Sequence, residues 1–80
     1  MTKQSKVILV ALNANGKLPE HHATGAITVL VLEGRIMFSA HGQDIKAHAH
    51  DLLVLEAGVP HAVYAFEPSA ILVTIINAKK

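Results

Sequence analysis

Two histidine-bearing segments of this chain have residue types and a spacing that could support chemistry. His21 and His22 follow Glu20, and His61 lies about forty residues further along the chain. Neutral imidazole is the commonest metal ligand among side chains and also a natural general base. A carboxylate beside it is a frequent further ligand for divalent metals. Each group adjoins an apolar, β-rich run, so a sheet could bring the two together.

Strand geometry assigns roles within the first group. In an extended segment Glu20 and His22 share one face, while His21 points to the other. Glu20, His22 and His61 therefore form a candidate 2-His-1-carboxylate set for Fe(II), Mn(II), Ni(II) or Zn(II), with open positions for a ligand. A one-residue change of register would put His21 in the place of His22. The alternative is that His22 and His61 line an apolar cavity without metal, as hydrogen-bonding groups.

A second histidine pair lies in the alternating segment 43–50. His48 and His50 are expected on the same strand face, which makes them an alternative surface site for zinc or nickel. The simpler interpretation is a solvated strand face that the two imidazoles share with Lys46. His41 precedes Gly42 and is interpreted as a turn residue.

Other catalytic arrangements are missing from the sequence. The chain has no cysteine, and no serine occupies a Gly-x-Ser-x-Gly nucleophile elbow. There is also no glycine-rich phosphate loop. No residue is assigned a catalytic role, and whether the protein is an enzyme stays open.

Composition limits the partners that the chain could have. Its 80 residues make one domain, with 51% hydrophobic residues, 16% charged residues and a net charge of +1. Such an apolar small domain predicts a homo-oligomer, most simply a homodimer. Nucleic acid is excluded as the main partner because the sequence shows neither a basic cluster nor a series of aromatics. No apolar run approaches the length of a membrane span, so a cytoplasmic location is expected.

Short apolar runs separated by turn residues predict an all-β sandwich or barrel. No window shows the 3.6-residue period of a helix. Residues 1–6 are expected to fray, and Glu33-Gly34 is expected to close a hairpin between the strands on either side. Residues 17–22 are expected to be extended. The other predicted strands are 7–12, 26–32, 35–39, 43–50, 52–55 (buried), 61–66 and 70–76.

The segment from about residue 19 to residue 76 resembles a minimal cupin, a small jelly-roll barrel of the double-stranded β-helix type. Residues 31–34, Val-Leu-Glu-Gly, are similar to the end of the first cupin motif. Residues 51–55 and 58–61 are similar to the second motif, which ends near His61. The resemblance puts His22 at one family ligand position and Glu20 in place of a histidine. The position of the family's glutamate falls at Ile27.

The resemblance implies a single cupin domain over residues 1–80 that binds a small molecule in the barrel, at one divalent metal ion (Fe, Mn, Ni or Zn) or at none. Alternatives are a metal-free binding or sensing module and an interaction barrel with a vestigial pocket. The implied register turns Ile27, Val29 and Val31 inward, which leaves Leu30 and Leu32 for a partner copy. The expected pocket residues are His22, His61, Glu20, Ile27, Val29 and Met37, with packing in the core as the other role of Met37.

Overall fold

A computed structural model describes residues 4–77 of the chain. The described residues form strands and turns, and they include no helix that could cross a membrane. The strands are β1 (Gln4–Leu12), β2 (Lys17–His21), β3 (Ala26–Glu33), β4 (Arg35–Ala40), β5 (Gln43–His48), β6 (Leu52–Leu55), β7 (His61–Ala65) and β8 (Ser69–Asn77).

The strands form two four-stranded antiparallel sheets. Sheet I has the order β1-β8-β3-β6, and sheet II has the order β2-β7-β4-β5. Neighbours in the sheets are mostly distant in sequence, which is typical of a jelly roll. The predicted all-β jelly-roll fold is confirmed.

The core lies between the two sheets, where alternate residues of each strand point inward. In β3 the inward residues Ile27, Val29 and Val31 are buried, as predicted, and the residues between them are not. β4 and β7 show the same alternation. The buried apolar residues are Ile27, Val29, Val31, Ile36, Phe38, Ala40, Ala47, Leu55, Val63, Ala65 and Ile71.

The hairpin expected at Glu33-Gly34 is wrong. β3 lies in sheet I and β4 in sheet II, so the chain crosses from one sheet to the other at Gly34. The buried faces of β3 and β4 can then face each other across the core, whereas a hairpin would put both in one sheet. The hairpin that does form joins β4 to β5, with positive φ at His41 and Gly42.

Of the tail expected to fray, residues 4–6 belong to β1 and pair with the end of β8, while residues 1–3 lie outside the described residues. One further expectation is corrected. β6 is not a buried strand, since Leu52 is 59% and Val54 is 71% exposed. The reason is that β6 is an edge strand of sheet I and only its inner face meets the core.

Candidate functional site

A bulge in β2 decides which histidine of the first group faces the barrel interior. Leu18 pairs with Val63 of β7, and His21 pairs with His61. The two pairs are three residues apart in β2 but only two residues apart in β7, so β2 contains one extra residue. An extra residue reverses the facing of everything that follows it. The structure therefore has His21, and not His22, opposite His61.

Pro19 gives the local reason for the bulge. Proline has no backbone N–H to donate to a ladder, and within sheets it is found at edges and bulges. β2 is an edge strand of sheet II, and the register shift lies between Leu18 and His21. The regular alternation that assigned Glu20 and His22 to the inner face is interrupted there.

His21 and His61 form a close pair of imidazoles. Their ring centroids are 4.3 Å apart, and the rings meet edge to face at 63°. His61 is only 5% exposed, whereas His21 is exposed at the rim. The Nδ1 of His61 lies 3.0 Å from the carbonyl oxygen of Val59, and the Nδ1 of His21 lies 2.8 Å from that of Pro19.

These two hydrogen bonds fix the tautomer of each neutral ring. A carbonyl oxygen only accepts hydrogen bonds, so each Nδ1 must carry the proton and donate. Each Nε2 then keeps its lone pair, which can accept a hydrogen bond or hold a metal ion.

Across sheet II the histidine pair belongs to a row of inward-facing residues. His21 pairs with His61, His61 pairs with Ala40, and Ala40 pairs with Gln43. We call the end of the barrel that carries this row the barrel mouth. One layer deeper, Phe38 stacks on His61 with a centroid distance of 5.7 Å and an interplanar angle of 17°. The barrel mouth therefore has polar side chains at its rim and the apolar ring of Phe38 beneath them.

A cleft of about 290 Å³ opens beside this row, between the edge strands β5 and β6. His21 and His61 do not line it. Two of its lining residues contact His61, since Ala40 pairs with it and Phe38 stacks on it. The lining residues are Phe38, Ala40, His41, Gln43, Ile45, Leu53, Val54, Leu55 and Glu56.

The predicted set of Glu20, His22 and His61 is not brought together. Glu20 is exposed and lines a different cleft, of about 350 Å³, beside Asp44 and Ser39. His22 follows the last residue of β2 and is exposed. Within residues 4–77 no three His, Cys, Asp or Glu side chains are grouped so that they could hold a metal ion.

The other predicted pocket residues lie away from the described clefts. Ile27 and Val29 are each 2% exposed and fill the packed core, and neither lines a described cleft. Met37 points to the outside of sheet II, because its neighbours Ile36 and Phe38 point inward. It lies between Lys46 and Tyr64 on that outer face.

The alternative pair His48 and His50 does not share a strand face. β5 ends at His48, and His50 is in a turn with φ of 79°. The Asp51 carboxylate accepts a hydrogen bond from the backbone N–H of His48 at 2.9 Å and lies 3.6 Å from its Nε2. His48 is thus part of a turn that its own neighbours stabilise.

Sequence reasoning missed Phe38, Ala40, Gln43 and Ile45 as residues around the site. Phe38 and Ala40 could have been found, because they lie two and four residues after Ile36 in β4 and therefore share its inward strand face. No signal in the sequence placed β5 next to β6 across the open edge of the barrel, so Gln43 and Ile45 could not be found in this way.

Comparison with known proteins gives a consistent result. The family model described as "Cupin domain" matches residues 8–76. A conserved protein of unknown function from Streptococcus pyogenes superposes with a TM-score of 0.91 at 20% identity, over 100% of this chain and 70% of that one. An RmlC-like cupin from Desulfovibrio desulfuricans gives 0.83 at 30% identity, over 96% and 74%.

A more distant likeness is to a larger protein. Salicylate 1,2-dioxygenase from Pseudoaminobacter salicylatoxidans gives a TM-score of 0.84 at 18% identity, over 89% of this chain and 19% of that one. A likeness at this identity concerns the fold alone. A search of curated proteins finds no significant match.

Proposed function

Because this chain belongs to the cupin family, we propose that it binds a small molecule at the barrel mouth, with His61 and His21 as the polar anchor. The observation that carries the proposal is the inward row His21–His61–Ala40–Gln43 beside the cleft. Clefts with apolar walls and a few convergent polar groups are the usual form of a small-molecule site.

The chemistry of the walls defines the ligand class. The apolar body of the ligand would contact Phe38, Ile45, Leu53 and Leu55. Each neutral imidazole uses its Nδ1 proton on a backbone carbonyl, so Nε2 can only accept. The matching ligand group is a hydrogen-bond donor such as a hydroxyl, reaching His61 across Ala40. We therefore propose a small, mainly apolar molecule with a hydroxyl group.

Phenol and toluene test this proposal as a matched pair, because they differ by the hydroxyl group. We expect phenol to shift the amide NMR signals of Phe38, Ala40 and His61 and to bind about 2- to 12-fold more tightly than toluene, the value of one net hydrogen bond. Equal affinities, or shifts confined to other parts of the chain, would contradict the proposal. If neither phenol nor toluene binds, the alternative of an interaction barrel with a vestigial pocket is favoured.

Metal binding is a second candidate function, favoured by the Nδ1 hydrogen bonds of both histidines. Metal-binding histidines commonly donate one ring N–H to a carbonyl, which orients the other nitrogen toward the ion. The Nε2 atoms of His21 and His61 would supply two ligands, and Ile27 cannot supply the family's carboxylate. The residues fit a two-histidine site with its other positions open. Such an ion would supply Lewis-acid chemistry.

The predicted cytoplasmic location and the question of enzymatic activity stay at the level of prediction. The name of the dioxygenase neighbour describes that protein's activity, and at 18% identity it supports the shared fold. Activity in this chain would need a substrate that reaches His61, which the phenol experiment addresses first.

A further inference from the structure

The outer face of sheet II carries a third cleft, of about 180 Å³, at the end of the sheet opposite the barrel mouth. Its floor is the cross-strand pair Ile36–Ala47, whose buried side chains point into the core. Residues that point outward on either side of this pair form the walls. The cleft is lined by Arg35, Ile36, Lys46, Ala47, His48 and Phe66.

The charged side chains that line this cleft are basic. Arg35 and Lys46 are positively charged at neutral pH, and no carboxylate lines the cleft. The two clefts described above differ from it. One is lined by Glu20 and Asp44 and the other by Glu56, and neither is lined by a lysine or an arginine. The third cleft is therefore the one of the three that suits an anion.

Two contacts hold the guanidinium group of Arg35 in place at the wall of the cleft. Its Nε donates a hydrogen bond to the Oε1 of Glu67 at 3.1 Å, and its Cζ lies 5.9 Å from the centroid of the Phe66 ring. The hydrogen bond to Glu67 uses the Nε side of the guanidinium. The two Nη groups at its end match the two oxygens of one carboxylate, a bidentate geometry that is typical of arginine.

Lys46 supplies the second positive charge. Arg35 pairs with His48, two residues after Lys46, so Lys46 is a diagonal neighbour of Arg35 on the outer face. The ion pairs within residues 4–77 join Arg35 to Glu67 and His48 to Asp51, and neither includes Lys46. Like charges on neighbouring strands disfavour each other. An anion between Arg35 and Lys46 would offset that repulsion.

The size of the cleft limits the rest of the ligand. A dry cavity of about 150 Å³ is large enough to bind benzene. The ring of Phe66 and the methylene stems of Arg35 and Lys46 offer apolar contacts to a body of that size. We propose that the cleft binds a small organic carboxylate with a body of about one ring, whose charge lies between Arg35 and Lys46. The site is separate from the barrel mouth and does not depend on the ligand proposed there.

Benzoate and benzamide test the proposal on the full chain, because they have the same shape and differ in charge. We expect benzoate to shift the amide NMR signals of Lys46, Ala47 and Phe66 and to bind at least about threefold more tightly than benzamide at low salt. The difference should shrink in about 0.5 M NaCl, because salt screens exposed charges. Acetate has the charge without the ring, and it should bind at least about threefold more weakly than benzoate.

Lys46→Gln and Lys17→Gln locate the site. Lys46→Gln should weaken benzoate binding at least about threefold and leave benzamide binding unchanged, because it removes one charge from the cleft. Lys17→Gln is the matched control, since Lys17 pairs with Tyr64 on the same outer face but does not line the cleft. Both lysines are exposed, so both variants should keep the fold.

Four results would overturn the proposal. The first is equal affinity for benzoate and benzamide. The second is acetate binding as tight as that of benzoate, which would mean ion pairing at the surface without a ligand cleft. The third is an equal loss of benzoate affinity in Lys46→Gln and Lys17→Gln. The fourth is benzoate shifts confined to Phe38, Ala40 and His61, which would put the binding at the barrel mouth.

Discussion

Gly34→Ala is expected to lower the free energy of unfolding by at least ~3 kcal/mol. Gly34 has φ of +91°, and a left-handed conformation costs a residue with a Cβ roughly 1–2 kcal/mol. The added Cβ would also lie 2.5 Å from the carbonyl oxygen of Pro68 and 2.7 Å from the Cα of Ser69. Both are backbone atoms, one in the residue before β8 and one in its first residue, so they cannot move without disturbing β8, a central strand of sheet I.

Gly58→Ala is the matched control for this prediction. Gly58 has a similar φ of +81°, but a Cβ there would meet no atom within 4 Å. The Gly58→Ala variant should therefore lose only the roughly 1–2 kcal/mol of unfolding free energy that a positive φ costs a residue with a Cβ. Urea denaturation of both variants and the wild type measures the difference. If both variants lose the same free energy of unfolding, the close contact between Gly34 and the start of β8 is contradicted.

His61→Ala and His21→Ala are expected to weaken Zn²⁺ binding by at least ~10-fold, if the second candidate function is correct. Each substitution removes one of the two imidazoles that meet at 4.3 Å and leaves a single ligand. Isothermal titration of untagged protein with Zn²⁺ measures the affinity, and elemental analysis measures the stoichiometry.

His22→Ala and His48→Ala are the controls for the zinc experiment. His22 is the adjacent exposed histidine, and His48 belongs to the alternative pair. Both should keep the wild-type affinity within about twofold. If His22→Ala abolishes binding and His21→Ala does not, the register of β2 described above is wrong. If all four variants bind as the wild type does, the barrel mouth is not a zinc site.

Most of the fold could be predicted because it depends on local alternation. Turn residues and apolar runs located the strands, and the parity of Ile27, Val29 and Val31 identified an inner face. The sheet partners could not be read in the same way. The crossing at Gly34 depends on its close contact with Ser69, which lies 35 residues away.

The site was predicted only in part, because one inserted residue changes its composition. His61 was identified as the histidine that follows the apolar segment 52–55 and begins the next predicted strand, and it is buried on the inner face of β7. Its partner depended on the register of β2, where alternation alone favours His22. Pro19 was the available signal, because proline interrupts a ladder. The bulge it accompanies puts His21 opposite His61.

The central claim is that His21 and His61 form the polar anchor of the barrel mouth. The most direct test is a nuclear Overhauser measurement on protein labelled at the histidine rings, with a long-range ¹H–¹⁵N spectrum to assign tautomers. We predict cross-peaks between the rings of His21 and His61, whose centroids are 4.3 Å apart, and a proton on Nδ1 of both neutral rings. Cross-peaks from His61 to the ring of His22 instead would contradict the account.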